Sequence, residues 1–450
     1  MVIYPSFQKT SLEYTNITLI FGAILCNDAI LTLNYIDCQE TLKTSVNQAL
    51  IKRHVSHIGP STPKKEPSMP WPIFMCGAGL LFICSWLDTV RGPLLPVVTK
   101  LLSLDYSSAG LIISLGNISG FVMTWLLMPA LNRWSLKSAG LSVLGYAFII
   151  CVGSTLVDTP SKMYLWGALI GACVSTMGSL SNLFVQSGVK PENLGQSMSA
   201  LHSIYGLSSF IAPVVAGRIL SEPSHWPLLF ASLAPAALAL GVFIYFFGPE
   251  ATKKKLDKSH VQPISLEPIH MLTVIVMITY VVSETLTSTW MPSFLMQVYG
   301  LNIRDATWYT SMFFGIMLVT RLACGIWAKP RWHRLLIWVS LVASLSALTT
   351  ALLTGWLWLL PFAGIFGPVF PLYSTWVTLR FPERARNMTI WMLSGMQGTL
   401  SVMQYAMGKL AAVAGFQVAY WLPPSVMVLM LVLLKTLEWK DSNSGHVPSK

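Results

Sequence analysis

An acid and a base lie three residues apart inside an apolar stretch, where Asp88 and Arg91 interrupt the segment 72–98. On a helix, this spacing places both side chains on one face. A charge near the centre of a bilayer costs about 2.5–3.5 kcal/mol on insertion scales, so intramembrane charges generally face a cavity or a partner. Two interpretations follow. The two residues are either a structural ion pair or part of a binding site in which Arg91 binds an anionic group and Asp88 accepts a proton.

A second intramembrane acid repeats this pattern. The acid–threonine pair at 88–89, with a proline at 96, recurs 196 residues later as an acid–threonine pair at 284–285 with a proline at 292. The predicted helix around Glu284 carries several hydroxyl side chains and no base. An intramembrane carboxyl without a base beside it is a candidate proton carrier. The alternative is a neutral, hydrogen-bonded glutamic acid that never titrates.

The composition is that of a membrane protein. Of the 450 residues, 54% are hydrophobic and 10% are charged, whereas a soluble domain carries about 25% charged residues. Basic residues exceed acidic ones by 29 to 18, which we attribute to the positive-inside bias of cytoplasmic loops rather than to nucleic-acid binding. The seven cysteines show no CxxC or Cys/His spacing, so we interpret them as small core residues and predict no cofactor or metal.

Twelve apolar segments of spanning length follow Trp71, separated by proline, glycine or charged breaks. Their limits are 72–98, 107–131, 139–157, 163–189, 193–220, 226–248, 269–298, 306–328, 334–354, 356–380, 387–412 and 416–438. The longest break, 249–268, contains four lysines and separates two sets of six. We therefore predict an all-α membrane protein whose twelve transmembrane helices form two six-helix bundles.

The predicted domains are a cytosolic arm at 1–70, a first bundle at 71–248, a basic cytoplasmic linker at 249–268, a second bundle at 269–440 and a tail at 441–450. The arm has polar clusters and one apolar run too short to span, so we expect disorder or an over-long start, with an extra spanning helix as the alternative. Thirteen basic residues fall in the inner breaks and five in the outer ones. This bias predicts that both termini are cytoplasmic, in a cell or inner membrane.

Two inner breaks, 128–137 and 325–334, place basic residues just after an apolar segment. Both are similar to the inner-loop motif of the major facilitator superfamily, in which a glycine precedes an acid–arginine pair, although Asn132 stands at the acid position. With the six-plus-six pattern, they make residues 71–440 resemble that superfamily. The resemblance implies a substrate site between the halves near the midplane. It also implies gating roles for Arg133, Lys137, Arg331 and Arg321, with Arg321 a structural arginine that binds carbonyls of the inner gate.

Within that superfamily, four stretches are similar to the fucose/glucose/galactose:proton symporter branch: 92–96, the asparagine-led 182–184, 200–213 and the Phe-Pro at 370–371. That branch has an acid before Leu-Leu-Pro on helix 1 and another four residues before the helix 4 asparagine. Here those positions hold Gly92 (or Pro93, by one residue of register) and Gly178. The sugar–proton mechanism therefore does not transfer with the resemblance, and Asp88, one turn earlier, is the acid that helix 1 offers.

We predict a transporter of a small polar organic solute, sugar-like or an organic anion, that works by alternating access with proton coupling through Glu284 or Asp88. The predicted partners are the solute, protons and the lipid bilayer, without nucleic acid, and the predicted state is a monomer. No phosphate-binding glycine loop, GxSxG or metal-ligand spacing indicates an enzyme. A proton-driven exporter of drugs or metabolites, or a non-transporting receptor or assembly protein, are the alternatives. The candidate pathway residues are Asp88, Arg91, Glu284, His202, Asn182 and Gln397.

Overall fold

The computed structural model describes residues 71–131, 133–189, 194–249, 267–328, 330–381 and 384–443. Within these ranges the chain folds into helices joined by short turns, and no strand is present. The predicted arm at 1–70, most of the predicted linker at 249–268 and most of the predicted tail at 441–450 lie outside the described residues.

The described residues contain twelve long helical segments. They are α1 Trp71–Leu101, α2 Tyr106–Leu131, α3 Leu136–Leu156, α4 Pro160–Gly188, α5 Leu194–Ile219, α6 Pro223–Phe247, α7 Pro268–Tyr299, α8 Ile303–Trp327, α9 His333–Thr354, α10 Leu357–Arg380, α11 Ala385–Ala414 and α12 Phe416–Lys440. All except α11 are long and apolar enough to span a membrane by length and composition. The 30 residues of α11 rise about 45 Å as an α-helix, which exceeds the roughly 30 Å hydrocarbon core. The predicted all-α class with twelve spanning helices is confirmed.

Local chemistry fixes several helix ends. The Ser135 hydroxyl accepts the Ser138 N–H at 3.1 Å ahead of α3, and the Asn302 side chain accepts the Asp305 N–H at 3.0 Å ahead of α8. These contacts satisfy backbone donors that the first helical turn leaves unpaired. At the other end of a helix, Gly300 terminates α7 with a φ of 68°, a left-handed conformation that glycine adopts at little steric cost.

Prolines interrupt the hydrogen bonding of α1 and α7 near the two acids. α1 breaks at Val90 into the segments Trp71–Thr89 and Arg91–Leu101. Pro93 lacks the N–H that would bond the Thr89 carbonyl, and Pro292 inside α7 likewise lacks the N–H for the carbonyl of Ser288. Both helices therefore carry a carbonyl without its usual helical donor, within one turn of Asp88 or Glu284.

Two hydrophobic cores form, one dominated by residues of α1–α6 and the other by residues of α7–α12. We call the side of the helices where Trp71, Pro249 and Glu267 lie the linker face and the opposite side the far face. Each core is built mainly from its own six helices, but Leu95 of α1 joins the second core and Ile303 of α8 joins the first, so the cores meet at the interface between the halves.

Close contacts between the two halves lie toward the far face. A Cβ on Gly92 of α1 would lie 2.7 Å from the Thr289 carbonyl oxygen of α7, and one on Gly408 of α11 would lie 2.3 Å from the Tyr106 carbonyl oxygen of α2. Nearer the midplane, the Ser114 hydroxyl donates to the Ser401 carbonyl at 2.5 Å. Glycine is needed at these positions because backbone meets backbone.

Toward the linker face, the facing helices are more open. The His202 ring of α5 is solvent-exposed although it lies 6.4 Å from the Phe370 ring of α10. One turn closer to the linker face on the same side of α5, Ser199 is exposed, and two turns beyond Phe370, Thr378 is exposed as well. The backbone contacts between the halves thus lie toward the far face. We call the exposed region around His202, Ser199 and Thr378, toward the linker face, the cleft.

Candidate functional site

The two intramembrane acids line one cavity between the two halves. This cavity has a volume of about 40 Å³. Its walls are Asp88, Thr89, Tyr205, Glu284, Thr285, Ser288, Thr289 and Phe314. The repeated acid–threonine pairs at 88–89 and 284–285 thus come together, one from each half of the chain. Among the described residues, no group of three or more His, Cys, Asp or Glu side chains could hold a metal ion.

Asp88 is bound on both carboxylate oxygens. Its Oδ1 accepts a hydrogen bond from Arg91 Nη2, and its Oδ2 accepts one from the Tyr205 hydroxyl of α5 at 2.8 Å. The Nε of Arg91 also donates to the Asp88 carbonyl at 3.2 Å. The side chains of Asp88 and Arg91 are 29% and 16% exposed. Charge-assisted bonds on both oxygens hold this carboxylate in one orientation.

Glu284 has a cationic partner that its own helix does not supply. Arg321 of α8 places Nη2 3.5 Å from Glu284 Oε2 and donates to the Tyr280 hydroxyl at 3.3 Å. The same guanidinium donates from Nε to the Gly367 carbonyl of α10 at 2.9 Å. The expectation that Glu284 lacks a base is therefore wrong, because its partner comes from another helix. Arg321 also binds a helix 10 carbonyl, as the resemblance implies, and in addition it lies beside the acid.

The third guanidinium nitrogen of Arg91, Nη1, lies away from the shared cavity. This nitrogen is buried without a hydrogen-bond partner among the described residues. The side chain borders a second cavity of about 20 Å³, whose other walls are apolar residues of α1, α2 and α4. Such a space has room for about one water molecule. In this conformation an organic anion would not fit against Arg91.

The other predicted pathway residues lie outside the shared cavity. Asn182 donates to the Gly178 carbonyl of its own helix at 2.8 Å, and its Oδ1 is buried without a described partner. Gln397 of α11 donates to the Ser175 hydroxyl of α4 at 3.0 Å, which ties the two halves together. His202 lies in the cleft beside Phe370.

The predicted gating residues of the loops lie at the linker face. Arg133 is exposed between α2 and α3, and Lys137 lies over the Tyr245 ring at 5.2 Å. Arg331 lies over the Trp332 ring at 5.3 Å in the turn before α9. These contacts are within one half of the chain.

Several wall residues were absent from the predicted site. Tyr205 lies three residues from His202 on the same helix face, and Ser288 lies one turn after Glu284, so helical spacing could have found both. No sequence signal distinguishes Phe314 from an ordinary core phenylalanine.

Gly92 explains why the helix 1 acid is displaced by one turn. Its Cα lies so close to the α7 backbone that an added Cβ would approach Thr289 Cα to 3.1 Å as well as its carbonyl oxygen. A carboxylate side chain cannot be accommodated there. Asp88, one turn earlier, reaches the open space between the halves instead.

The sequence of residues 77–382 matches the family model described as Major Facilitator Superfamily. That match covers more than half of the chain. The protein belongs to the major facilitator superfamily, a superfamily of membrane transporters, and it is not an enzyme by this classification. No curated protein sequence matches the chain.

Solved structures share the fold at low sequence identity. The nucleoside transporter NupG aligns with a TM-score of 0.66 and 15% identity, covering 82% of this chain and 100% of that one. The xylose transporter XylE from E. coli, in a partially occluded inward-open conformation, aligns with a TM-score of 0.65 and 11% identity, covering 82% and 99%. A bacterial homolog of the human lysosomal transporter Spinster aligns at 0.62 and 13%, covering 82% and 96%. At these low identities, the structural similarity establishes that this chain shares the fold of these proteins and nothing beyond the fold.

Proposed function

We propose that the protein transports a small, polar, uncharged solute, sugar-like or nucleoside-like, coupled to the movement of protons. The observation that carries this proposal is the shared cavity, because each half of the molecule contributes one acid to it. When two bundles rock against each other, a site between them opens first to one side of the membrane and then to the other, so a bound ligand is exposed to each side in turn.

Glu284 is the proposed proton carrier. Its carboxylate meets Arg321 at a single contact of 3.5 Å, whereas Asp88 accepts from both Arg91 and Tyr205. The more loosely held carboxylate gives up fewer hydrogen bonds when it is protonated. Once Glu284 is neutral, Arg321 can turn to other partners, which links the proton to a change in helix contacts.

We propose an uncharged solute because the charged side chains at the site already neutralise one another. The two acids and two arginines sum to zero, and neither arginine is a wall of the shared cavity. The wall oxygens suit hydroxyl donors of a solute. Support also comes from the motifs similar to the sugar:proton branch and from fold relatives that are described as xylose and nucleoside transporters.

The cavity in this conformation is far smaller than the 300–1,000 Å³ typical of sites for small-molecule ligands. We therefore propose that the solute enters through the cleft at the linker face, past His202 and Phe370, and that the cavity widens around it. If the termini are cytoplasmic, as the charge bias predicts, this cleft opens to the cytoplasm. Closure of the cleft and opening of the far face would complete alternating access.

The test is solute accumulation in proteoliposomes under an imposed pH gradient, with sugars and nucleosides as candidate solutes. The wild type should accumulate solute with the gradient, whereas Glu284→Gln should retain exchange down a solute gradient but lose pH-driven accumulation. Asp158→Asn is the matched control, because that exposed acid pairs with Lys162 on the far face and contributes little. Undiminished pH-driven accumulation by Glu284→Gln would disprove the assignment.

A further inference from the structure

We propose that α9 and α12 form a binding site for an anionic phospholipid where they reach the linker face. The site contains four basic residues, which we call the α9–α12 basic cluster: Arg331, Arg334, Lys435 and Lys440. All four are exposed. The inference concerns the outer surface of the second half, so it stands apart from the shared cavity and from the proposed solute and its coupling to protons.

The charges of this helix pair are confined to one end. In residues 330–340 and 434–441, basic residues outnumber acids by four to two. The rest of α9, 341–354, and the rest of α12, 416–433, contain no charged residue. The pair therefore has a net positive charge at the linker face and none at the far face.

An acid of α12 joins the two helices at this end. Glu438 Oε1 accepts hydrogen bonds from Arg334 Nε at 2.5 Å and from Trp338 Nε1 at 2.8 Å, both on α9. The Glu438 side chain is 15% exposed, whereas that of Arg334 is 63% exposed. Among the described residues, neither Arg331 nor Lys435 forms a salt bridge. Pairing within the protein thus accounts for Glu438 but not for the excess of positive charge around it.

Next to the basic cluster, toward the midplane, both helices expose apolar side chains at helical spacing. These side chains are Leu335, Val339 and Val342 on α9 and Val428 and Val432 on α12. Lys435 lies three residues after Val432 and so continues the same face of α12. A phospholipid has the matching arrangement, because its phosphate can meet the basic cluster while its acyl chains lie along the apolar side chains. A soluble phosphate ion would use the charge alone.

Exposed tryptophans place the cluster at the depth of the lipid headgroups. Trp332 and Trp439 are 42% and 62% exposed, and tryptophan is enriched where the bilayer meets water. Lys435 lies five residues before Lys440, or about 7.5 Å along the helix, a distance that a lysine side chain can cover by extending toward the headgroups. If the termini are cytoplasmic, as the charge bias predicts, the cluster meets the leaflet whose anionic lipids attract basic segments.

The test is thermal unfolding of the purified full-length protein in detergent micelles at constant ionic strength. Phosphatidylglycerol, phosphatidylcholine or glycerol 3-phosphate is added in increasing amounts. A ligand that binds the folded state raises Tm in a saturable manner. We expect such a rise with phosphatidylglycerol and a smaller change with phosphatidylcholine, which has no net charge. Glycerol 3-phosphate should leave Tm unchanged, because it has the negative charge without the acyl chains.

Two exposed lysines provide a matched pair of variants. Lys435→Gln removes one charge of the cluster and should raise the half-saturating mole fraction of phosphatidylglycerol by about fivefold, the factor that one basic residue contributes near an anionic lipid surface. Lys100→Gln removes an equally exposed charge near the far-face end of α1. That variant changes the net charge of the protein by the same amount and should keep the wild-type half-saturating mole fraction, whatever its basal Tm.

Three results would overturn the lipid site. Equal rises in Tm with the two lipids would mean that the headgroup charge is not recognised. A rise with glycerol 3-phosphate that matches the rise with phosphatidylglycerol would mean that the cluster binds a soluble anion. The same change of half-saturation in Lys435→Gln and Lys100→Gln would mean that the lipid responds to the net charge of the protein and not to this cluster.

Discussion

Replacing Gly408 with alanine should shift the protein toward a conformation that is open at the far face. The added Cβ would lie 2.3 Å from the Tyr106 carbonyl oxygen and 2.9 Å from the Gly110 Cα. Because both neighbours are backbone atoms of α2, no rotation of a side chain can relieve the clash. Carbon atoms in contact are 3.5–4.0 Å apart, so the two helices must separate by roughly 1 Å.

The magnitude follows from the cost of overpacking. An extra carbon in a packed interface costs about 1–3 kcal/mol, which corresponds to roughly a 5–150-fold change in an equilibrium. That cost applies to the closed far face alone, because the clash is absent once α2 and α11 part. We therefore expect the ratio of molecules with an open far face to those with a closed one to rise by about that factor.

The assay is a distance measurement between spin labels at Ser224 and Gln417, in a background without other reactive cysteines. These residues are exposed at the far face in opposite halves. Gly408→Ala should broaden the distance distribution and add a longer component. Gly398→Ala is the control on the same helix, because its Cβ meets no atom within 4 Å. A wild-type distribution in Gly408→Ala, or equal broadening in both variants, would refute the proposed far-face closure.

Two further predictions concern the ion pair of α1 and a helix cap. Arg91→Gln leaves Asp88 without its cationic partner and should destabilise the protein by about 3–5 kcal/mol, as measured by chemical denaturation in detergent. The double variant with Asp88→Asn should recover much of this loss, and no recovery would mean that Arg91 acts through other contacts. Asp105→Ala should cost about 0.5–2 kcal/mol, because the Asp105 carboxylate caps α2 by accepting the Ser108 N–H at 2.8 Å. Hydrogen bonds from Ser108 lower the pKa of Asp105 below 3.8, so this stabilisation is complete at neutral pH and disappears as the pH falls through that lowered value. A difference in Tm between wild type and Asp105→Ala that stays constant from about pH 7 to about pH 3 would contradict the cap.

The sequence by itself determined the elements of the fold. In a bilayer every backbone polar group must be satisfied within its own helix, so apolar length and the intervening breaks specify the spans locally. The segment predicted at 72–98 is the helix Trp71–Leu101, and that predicted at 269–298 is Pro268–Tyr299. The largest local departure is α10, which begins as the 3₁₀ helix Leu357–Phe366. Its Pro361 lacks the N–H that a regular α-helix would need there.

Part of the candidate site was also encoded locally. The three-residue spacing of Asp88 and Arg91 already places them on one face of a helix, and the structure joins them there. The repeat at an offset of 196 residues identified Glu284 as the matching acid in the second half. Both inferences work because they need only the helical period and the duplication.

Tertiary structure decided the partners of these acids. Glu284 meets Arg321, which is 37 residues away on another helix, and Asp88 meets Tyr205, which is 117 residues away. Neither contact follows from periodicity, because periodicity specifies the face of a helix and not the helix that packs against it. The shared cavity, whose walls include both acids and neither arginine, exists because the six-helix halves bring α1 and α7 together. The sequence identified the two acids, whereas the packing of the helices decided which side chains they contact.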